Sequence, residues 1–408
     1  MIKRSISRKL EDAWADTPVV LLVGARQTGK TTLATDWAKR HEARYETLDD
    51  ATVLATAAAD PQGFVNRLEL PAVIDEVQKV PELLPAIKLR VDRERRVGRF
   101  LLTGSANVLS LPRISESLAG RMEIHTLWPL SLGERAGIQE NVIPAVFDGR
   151  PPDPFPTRPA RASLPDLVAS SGFPGNQKRA GARLEEWHRS YVTSILQRDV
   201  RDLAMIDGLT AMPNLLKLLA ARSSSLLNTS DLTRAAGIPN STLKRYLALF
   251  EMLFLAYRVP AWSANLSKRL IRAPKIMLCD TGLACHLLGA GPELLQRDRI
   301  LLGHLLENFV ANELKKQASW LDSGVEIMHY RTASGREIDF ILEDRRGRVV
   351  AIEVKLSQAI RDEDFDAMRD LAEMIKSRFV CGVLLHDGGN VLPFGKHLWA
   401  APLSSLWS

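Results

Sequence analysis

The stretch from Thr17 to Arg40 constrains the fold more than any other part of the chain. Val19-Val20-Leu21-Leu22-Val23 is a β-branched and leucine run, too short for a helix and suited to a parallel strand buried on both faces. It passes directly into Gly24-Ala25-Arg26-Gln27-Thr28-Gly29-Lys30-Thr31, which fits G-x-x-x-x-G-K-[ST], and the residues from Thr32 to Arg40 read as a helix. The glycines permit a tight loop whose backbone N–H groups point inward at phosphate oxygens, and the helix N-terminus adds its partial positive charge. These loop residues, with Thr32, form the expected ATP-binding set. Lys30 is expected to reach the β- and γ-phosphates, and the Thr31 hydroxyl to ligate Mg²⁺.

Two further apolar runs fit the same sheet. Leu70-Pro-Ala-Val-Ile-Asp75-Glu76 ends in adjacent acids, which at the end of a buried strand face the P-loop across the sheet edge. Asp75 is expected to hold Mg²⁺ through water and Glu76 to polarise the attacking water. Such a pair favours hydrolysis over phosphate transfer to a small substrate. Arg99-Phe-Leu-Leu-Thr103-Gly104-Ser105-Ala-Asn107 is a third strand ending in small polar residues. Thr103 and Ser105 are both candidates to orient the water, and the sequence does not choose between them. This order of P-loop, acidic strand and polar-ended strand resembles the AAA+ group of ATPases. In that group an arginine after the next helix reaches a neighbouring subunit's γ-phosphate, and Arg121, after Ile114–Gly120, fits the position. That role requires a ring or at least a dimer. The alternative is a structural ion pair of Arg121 with Glu123 or Glu134.

Composition bounds the remainder. A chain of 408 residues has room for two or three domains. No apolar run approaches the roughly 20 residues that span a bilayer. Met1–Leu10 is basic but is not followed by an apolar segment, and Cys279, Cys285 and Cys381 have no metal-ligand spacing. The expectation is a cytoplasmic protein with buried thiols and no membrane partner. The net charge of +6 is unevenly spread: residues 1–150 carry 21 Lys+Arg against 20 Asp+Glu, 151–300 carry 20 against 12, and 301–408 carry 13 against 16. The positive field lies in the middle third, as a polyanion-binding module requires, although solvated arginines on a helical surface give the same count.

That middle third opens with six prolines in the 18 positions of 148–165, which no regular helix survives. From Ala182 to Leu203, the residues Leu184, Trp187, Tyr191, Ile195 and Leu196 have helical spacing, suiting a lid or connector helix. Leu227–Glu251 reads as a helix-turn-helix. Thr229 or Ser230 caps the first helix, Gly237 ends it, Pro239 forbids its continuation, and Asn240 or Ser241 caps the second. Leu232, Ala236, Ile238, Leu243, Leu247 and Phe250 would form the small core. Asn240, Ser241, Thr242, Lys244, Arg245 and Tyr246 lie near the exposed start of the second helix, the first five as candidate DNA contacts. Phe254–Val259 is a candidate wing strand. The same unit used only for packing or subunit contact is the alternative.

In the last third, Leu301–Leu314 reads as an amphipathic helix with Glu307 among apolar neighbours. A strand carrying Asp339, a charged turn at Asp344–Arg348, and a strand Val349–Lys355 with Glu353 and Lys355 on one face follow. Asp339 and Glu353 on adjacent strands are expected to share one Mg²⁺, with Lys355 beside them orienting a water and Glu307 approaching from the helix. This order resembles the D…E-x-K arrangement of the PD-(D/E)xK nucleases. A degenerate, non-cleaving copy of the fold, or merely exposed strand charges, is the alternative.

Taken together, Gly24–Thr31, Val73–Glu76, Leu102–Ser105, Leu118–Arg121 with Pro129–Glu134, Arg198-Asp199, Lys275–Gly282, and Glu337–Phe340 with Glu353–Lys355 resemble a prokaryotic family. It comprises AAA-type ATPases followed by a C-terminal domain of unassigned function, the DUF4143 type. The resemblance covers nearly the whole chain and implies ATP binding with a DNA-linked role. The expected architecture is α/β: an AAA+-like core with a parallel sheet (1–147), a proline-rich linker and helical connector or lid (148–208), a winged helix-turn-helix (209–275), and an α/β restriction-endonuclease-like domain (276–408). The expected activity is Mg²⁺-dependent ATP hydrolysis by a homo-oligomer acting on DNA, branched DNA included, with a C-terminal metal-dependent nuclease as a possible addition. The alternative is a nucleotide-dependent signalling or defence switch that binds a protein partner.

Overall fold

Five short strands build the first sheet: β1 (Val19–Val23), β2 (Arg44–Thr47), β3 (Ala72–Asp75), β4 (Phe100–Gly104) and β5 (Met122–Thr126). The computed structural model in which they appear describes residues 2–105, 118, 120–152, 163–200, 211–332 and 335–407. All five strands are parallel, in the order β2-β3-β4-β1-β5. Parallel neighbours require crossover connections, whose helices cover both faces, and β1, β3 and β4 are accordingly buried along their whole length. The two-residue period shows in the packing: Val19, Leu21 and Val23 join one core cluster, Val20 and Leu22 another. The carboxyl ends of the adjacent strands β3, β4 and β1 therefore bring Asp75, Ser105 and the P-loop to one edge.

The middle region is mostly helical. Helix Ala182–Ser194 runs on into a π-helical turn, Ile195–Asp199. Helices Met212–Ala221, Thr229–Ala236 and Asn240–Met252 follow, with an antiparallel ribbon of β6 (Ala256–Val259) and β7 (Lys275–Leu278). This is the expected winged helix-turn-helix, with Leu232, Leu243, Leu247 and Phe250 buried in its core and Ala236 and Ile238 packed against it. Three details differ. The Asn228 side chain, not Thr229 or Ser230, caps the first helix by accepting the Asp231 N–H at 3.1 Å. The second helix begins at Asn240 itself, with extended Pro239 at the cap position and no side-chain cap. Tyr246 is buried, because it lies three residues beyond Leu243 on the core face. The expected boundary at 275/276 lies within β7, which pairs with β6 as far as Leu278. The boundary at 208/209 and residues 153–162 of the proline-rich segment lie outside the described residues.

The C-terminal region is a six-stranded mixed sheet in the order β12-β13-β11-β10-β9-β8. Its strands are β8 (Glu326–Arg331), β9 (Glu337–Glu343), β10 (Val349–Lys355), β11 (Phe379–His386), β12 (Leu392–Pro393) and β13 (Leu398–Pro402). β8, β9 and β10 form an antiparallel meander, and helix Asp366–Ile375 lies in the crossover from β10 to parallel β11. Helix Arg299–Trp320 is not amphipathic as expected. Leu305, Phe309 and Val310 are buried, and so are Asn308, Glu313 and Lys316, because this helix lies between the first region and the sheet. Glu313 accepts the Leu132 N–H at 2.9 Å, and Lys316 Nζ donates to the Leu130 carbonyl at 3.0 Å. Asp280 ties the connector in: it accepts the Gly172 N–H at 2.7 Å while capping helix Thr281–Leu288 through the Leu283 N–H at 2.8 Å. Among the described residues no helix is long and apolar enough to cross a membrane.

Candidate functional site

β1 gives way to the P-loop at a position only glycine can occupy: a Cβ on Gly24 would lie 2.3 Å from the Leu127 carbonyl oxygen. Gly29, at φ 94°, takes the left-handed conformation that starts helix Lys30–Arg40. Within the loop, Thr28 Oγ1 donates to the Ala25 carbonyl at 2.9 Å, and Lys30 Nζ donates to the carbonyls of Gly24 and Ala25, both at 2.9 Å. Gln27, Thr31 and Thr32 are exposed at the mouth. Among the described residues, Arg4 and Tyr191 hold the loop from outside the motif. Arg4 donates to the Thr28 carbonyl at 2.8 Å, to the Trp128 carbonyl at 2.6 Å and to Glu134 at 3.0 Å, and the Tyr191 hydroxyl donates to the Arg26 carbonyl at 3.3 Å. The connector helix thus touches the loop directly. Arg4 is invisible to motif reading because its partners, two backbone carbonyls and the Glu134 carboxylate, are more than 20 residues away. Beside the loop, a cavity of about 410 Å³ opens among Ile2, Arg4, Gly29, Leu33, Leu130 and Pro174.

Asp75 is buried at the end of β3 among hydroxyl groups. Its Oδ2 accepts from Thr31 Oγ1 and from the Tyr45 hydroxyl, each at 3.0 Å, and its Oδ1 accepts from Thr103. Burial and the neighbouring Asp75 charge push the Tyr45 phenol up to about 12. Thr103 and Ser105 have different partners. Thr103 binds Asp75 and accepts the Glu76 N–H at 3.1 Å, whereas Ser105 accepts from Gln78 Nε2 at 2.9 Å. The same Gln78 amide donates to the Glu76 carboxylate. Gln78 lies on the 3-10 turn Val77–Lys79, just past the acid pair, and a glutamine there carries no sequence signal of its own. Glu76 itself sits at φ 61°. Asn107 and the segment Ile114–Ser117 lie outside the described residues.

Arg121 forms an ion pair with Asp92 of helix Leu83–Glu94, not with Glu123 or Glu134. Glu134 is engaged by Arg4, and Glu123 lies 3.3 Å from His125. The Arg121 carbonyl accepts the Val19 N–H at 3.2 Å, so this residue stands at the end of β1 opposite the P-loop.

The C-terminal acids come together, but around a different lysine from the one expected. Lys275, the first residue of β7, points its buried ammonium at Glu307 Oε1 at 2.6 Å and at Asp339 Oδ1 at 3.4 Å. Glu353 Oε2 accepts the Asp339 N–H at 3.3 Å, and the Val354 N–H donates to Asp339 Oδ2 at 3.0 Å. Lys355 forms an ion pair with Asp364. Burial, with the charge of Asp339, pushes Glu307 up to about 8, and burial raises Glu353 well above the carboxylate range. Burial works against the Lys275 ammonium, but Glu307 and Asp339 outweigh it and hold its pKa above the ordinary lysine value. Among the described residues no three or more His, Cys, Asp and Glu side chains are arranged to hold a metal ion.

On the second helix of the winged unit, Asn240, Ser241, Lys244 and Arg245 are exposed and Thr242 is half-buried. Asn240 with Lys244, and Ser241 with Arg245, stack at i, i+4 on the outer surface.

Residues 16–136 match the family described as AAA domain, residues 161–294 a domain of unknown function (DUF8612), and residues 302–406 another (DUF4143). Uncharacterized proteins of Mycobacterium bovis and Mycobacterium tuberculosis are each 30% identical over 354 residues, covering 86% of this chain and 74% of theirs. Among solved structures, the Walker-type ATPase of Pyrococcus abyssi is similar with a TM-score of 0.43 and 15% identity, over 70% of this chain and 96% of that one.

Proposed function

Because the chain belongs to the family of AAA-type P-loop ATPases that carry a DUF4143 domain, and so to a nucleotide-binding class, we propose that it hydrolyses ATP with Mg²⁺ and couples turnover to DNA. The observation that carries the proposal is the 3.0 Å contact between the Thr31 hydroxyl and Asp75 Oδ2. It joins the end of the P-loop to the acidic strand, and it suits a Mg²⁺ held by Thr31 directly and by Asp75 through water. Bound there, the ion supplies positive charge to the β- and γ-phosphates.

The chain's own residues do the rest. Lys30 exchanges the Gly24 and Ala25 carbonyls for phosphate oxygens, while the loop N–H groups and the helix N-terminus cradle the remainder. Glu76 orients and polarises the attacking water, and Gln78 with Ser105 holds its carboxylate in place. Ile2, Leu33 and Pro174 offer the base an apolar slot beside the loop. Arg121 stands too far along β1 to meet its own phosphates, so a role in hydrolysis would be on a neighbour's nucleotide in an oligomer.

The DNA reading is supported by the winged topology, by the exposed Asn240, Ser241, Lys244 and Arg245 with Thr242 beside them, and by 20 Lys+Arg against 12 Asp+Glu in residues 151–300. The test is ATP turnover by the wild type and Glu76→Gln, with and without duplex DNA and a four-way junction. Stimulation by DNA that disappears in Glu76→Gln is expected. Turnover indifferent to every DNA, with no DNA retained at low salt, would replace this reading by a nucleotide switch acting on a protein partner.

A further inference from the structure

The D…E-x-K resemblance implies a divalent cation shared by Asp339 and Glu353, and the side chains around them do not fit one. Three half-buried carboxylates gathered around a buried ammonium need a counter-charge. Here it arrives on a strand from outside the sheet: β7 pairs with β6 of the winged ribbon and delivers the Lys275 ammonium to Glu307 and Asp339. With contacts of 2.6 Å to Glu307 and 3.4 Å to Asp339 Oδ1, the nitrogen stands at the Asp339 oxygen that an ion shared with Glu353, roughly 2.0–2.6 Å from its ligands, would need. Asp339 Oδ2 is committed to the Val354 N–H, and Glu353 Oε2 to the Asp339 N–H. The lysine that would face an attacking water, Lys355, is bound to Asp364.

We propose that Lys275 is the permanent cation of this cluster, so that the C-terminal domain takes up no divalent ion there, does not cut nucleic acid, and uses the acids to fasten the winged ribbon to the C-terminal sheet. The cluster joins three parts of the chain by charge: β7, helix Arg299–Trp320 through Glu307, and strands β9 and β10 through Asp339 and Glu353. A movement of the winged unit against the sheet must separate these charges, which gives the ribbon a fixed attachment to the domain behind it. The inference is independent of the ATPase reading.

The experiment counts Mn²⁺ bound to the nucleotide-free full-length chain by electron paramagnetic resonance, in the wild type, Asp339→Asn, Lys275→Met and the double variant. The wild type and Asp339→Asn should bind Mn²⁺ equally. Lys275→Met should gain a site that Asp339→Asn abolishes, because removing the ammonium leaves three acids without their cation. A wild-type site lost in Asp339→Asn would overturn the proposal, as would Asp339-dependent cleavage of duplex, single-stranded or junction DNA by the wild type in Mg²⁺ or Mn²⁺. A folded Lys275→Met that gains nothing would also count against it. Should Lys275→Met fail to fold, the wild type against Asp339→Asn decides alone.

Discussion

Asp75 and Asp339 are both strand acids in regions that also hold a buried lysine, yet the lysines act differently. Lys30 donates to the carbonyls of Gly24 and Ala25, and Asp75 is surrounded by the hydroxyls of Thr31, Tyr45 and Thr103. Lys275 donates to the carboxylates of Glu307 and Asp339 themselves. Hydroxyl donors stabilise a carboxylate without cancelling its charge, so the Asp75 end keeps a negative field for an incoming cation. An ammonium cancels charge, so part of the negative charge at the Asp339 end is already compensated. The same residue types build an open site in one place and a closed one in the other, and the difference lies in what each lysine touches.

The comparison can be broken most easily at Glu76. If it handles the water, Glu76→Gln should lower the rate of ATP turnover about 10²–10⁴-fold while ATP binding, followed by fluorescence of a labelled nucleotide, is retained. A residual rate within a few-fold of wild type would remove Glu76 from the chemistry. The next largest effect separates the two lysines by stability. Lys275→Met removes a buried ammonium from half-buried acids and should cost roughly 3–5 kcal/mol in urea unfolding. Lys30→Met removes the bonds to the Gly24 and Ala25 carbonyls and leaves no such gathering of acids behind, so it should cost the smaller amount of about 1–2 kcal/mol. Equal losses would mean that Lys275 is not a structural counter-ion.

A smaller effect is expected at the winged helix. Lys244→Ala with Arg245→Ala should weaken DNA binding and lessen its dependence on log salt by roughly 0.9 for each phosphate that the two side chains neutralise. An unchanged salt slope would move the DNA surface elsewhere. The smallest effect concerns a third kind of buried acid. Glu140 has a hydroxyl, Ser131, and one N–H, Gly133, but no cation among the described residues, and burial pushes it up to about 8. Its folded pKa thus exceeds its ordinary 4.5. Its stabilising contribution is fully present below pH 4.5 and declines as pH rises through the window to about 8, where the unfolded chain is ionised and the folded one keeps its proton. Glu140→Gln should flatten the fall in melting temperature across that window. An unaltered profile would show that Glu140 ionises in place.

Much of the first site is legible in the sequence because it is local. The P-loop, its strand and its helix are contiguous, and the acids of β3 follow directly from an apolar run. The helix-turn-helix is readable for the same reason, down to its Gly237 terminator. What escapes a reading of the sequence is non-local or weakly patterned. β5 holds only two aliphatic residues and lies at the edge of the sheet, where one side needs no core. Arg4 reaches Glu134 across 130 positions, and Lys275 reaches Asp339 across 64. The E-x-K spacing points to Lys355 because strand alternation puts it on the face of Glu353, but alternation fixes a face and not a partner, and Asp364 captures the amine. Helix Arg299–Trp320 reads as half-exposed because its polar residues are buried in pairs, as with Glu313 and Lys316 at 2.6 Å.

The most direct test of the contrast between an open and a closed acid site is to titrate Mn²⁺ into the full-length chain with a non-hydrolysable ATP analogue, comparing the wild type with Asp75→Asn and Asp339→Asn. The account predicts a nucleotide-dependent Mn²⁺ site that Asp75→Asn removes and Asp339→Asn leaves untouched. A Mn²⁺ site that survives Asp75→Asn and vanishes with Asp339→Asn would contradict it.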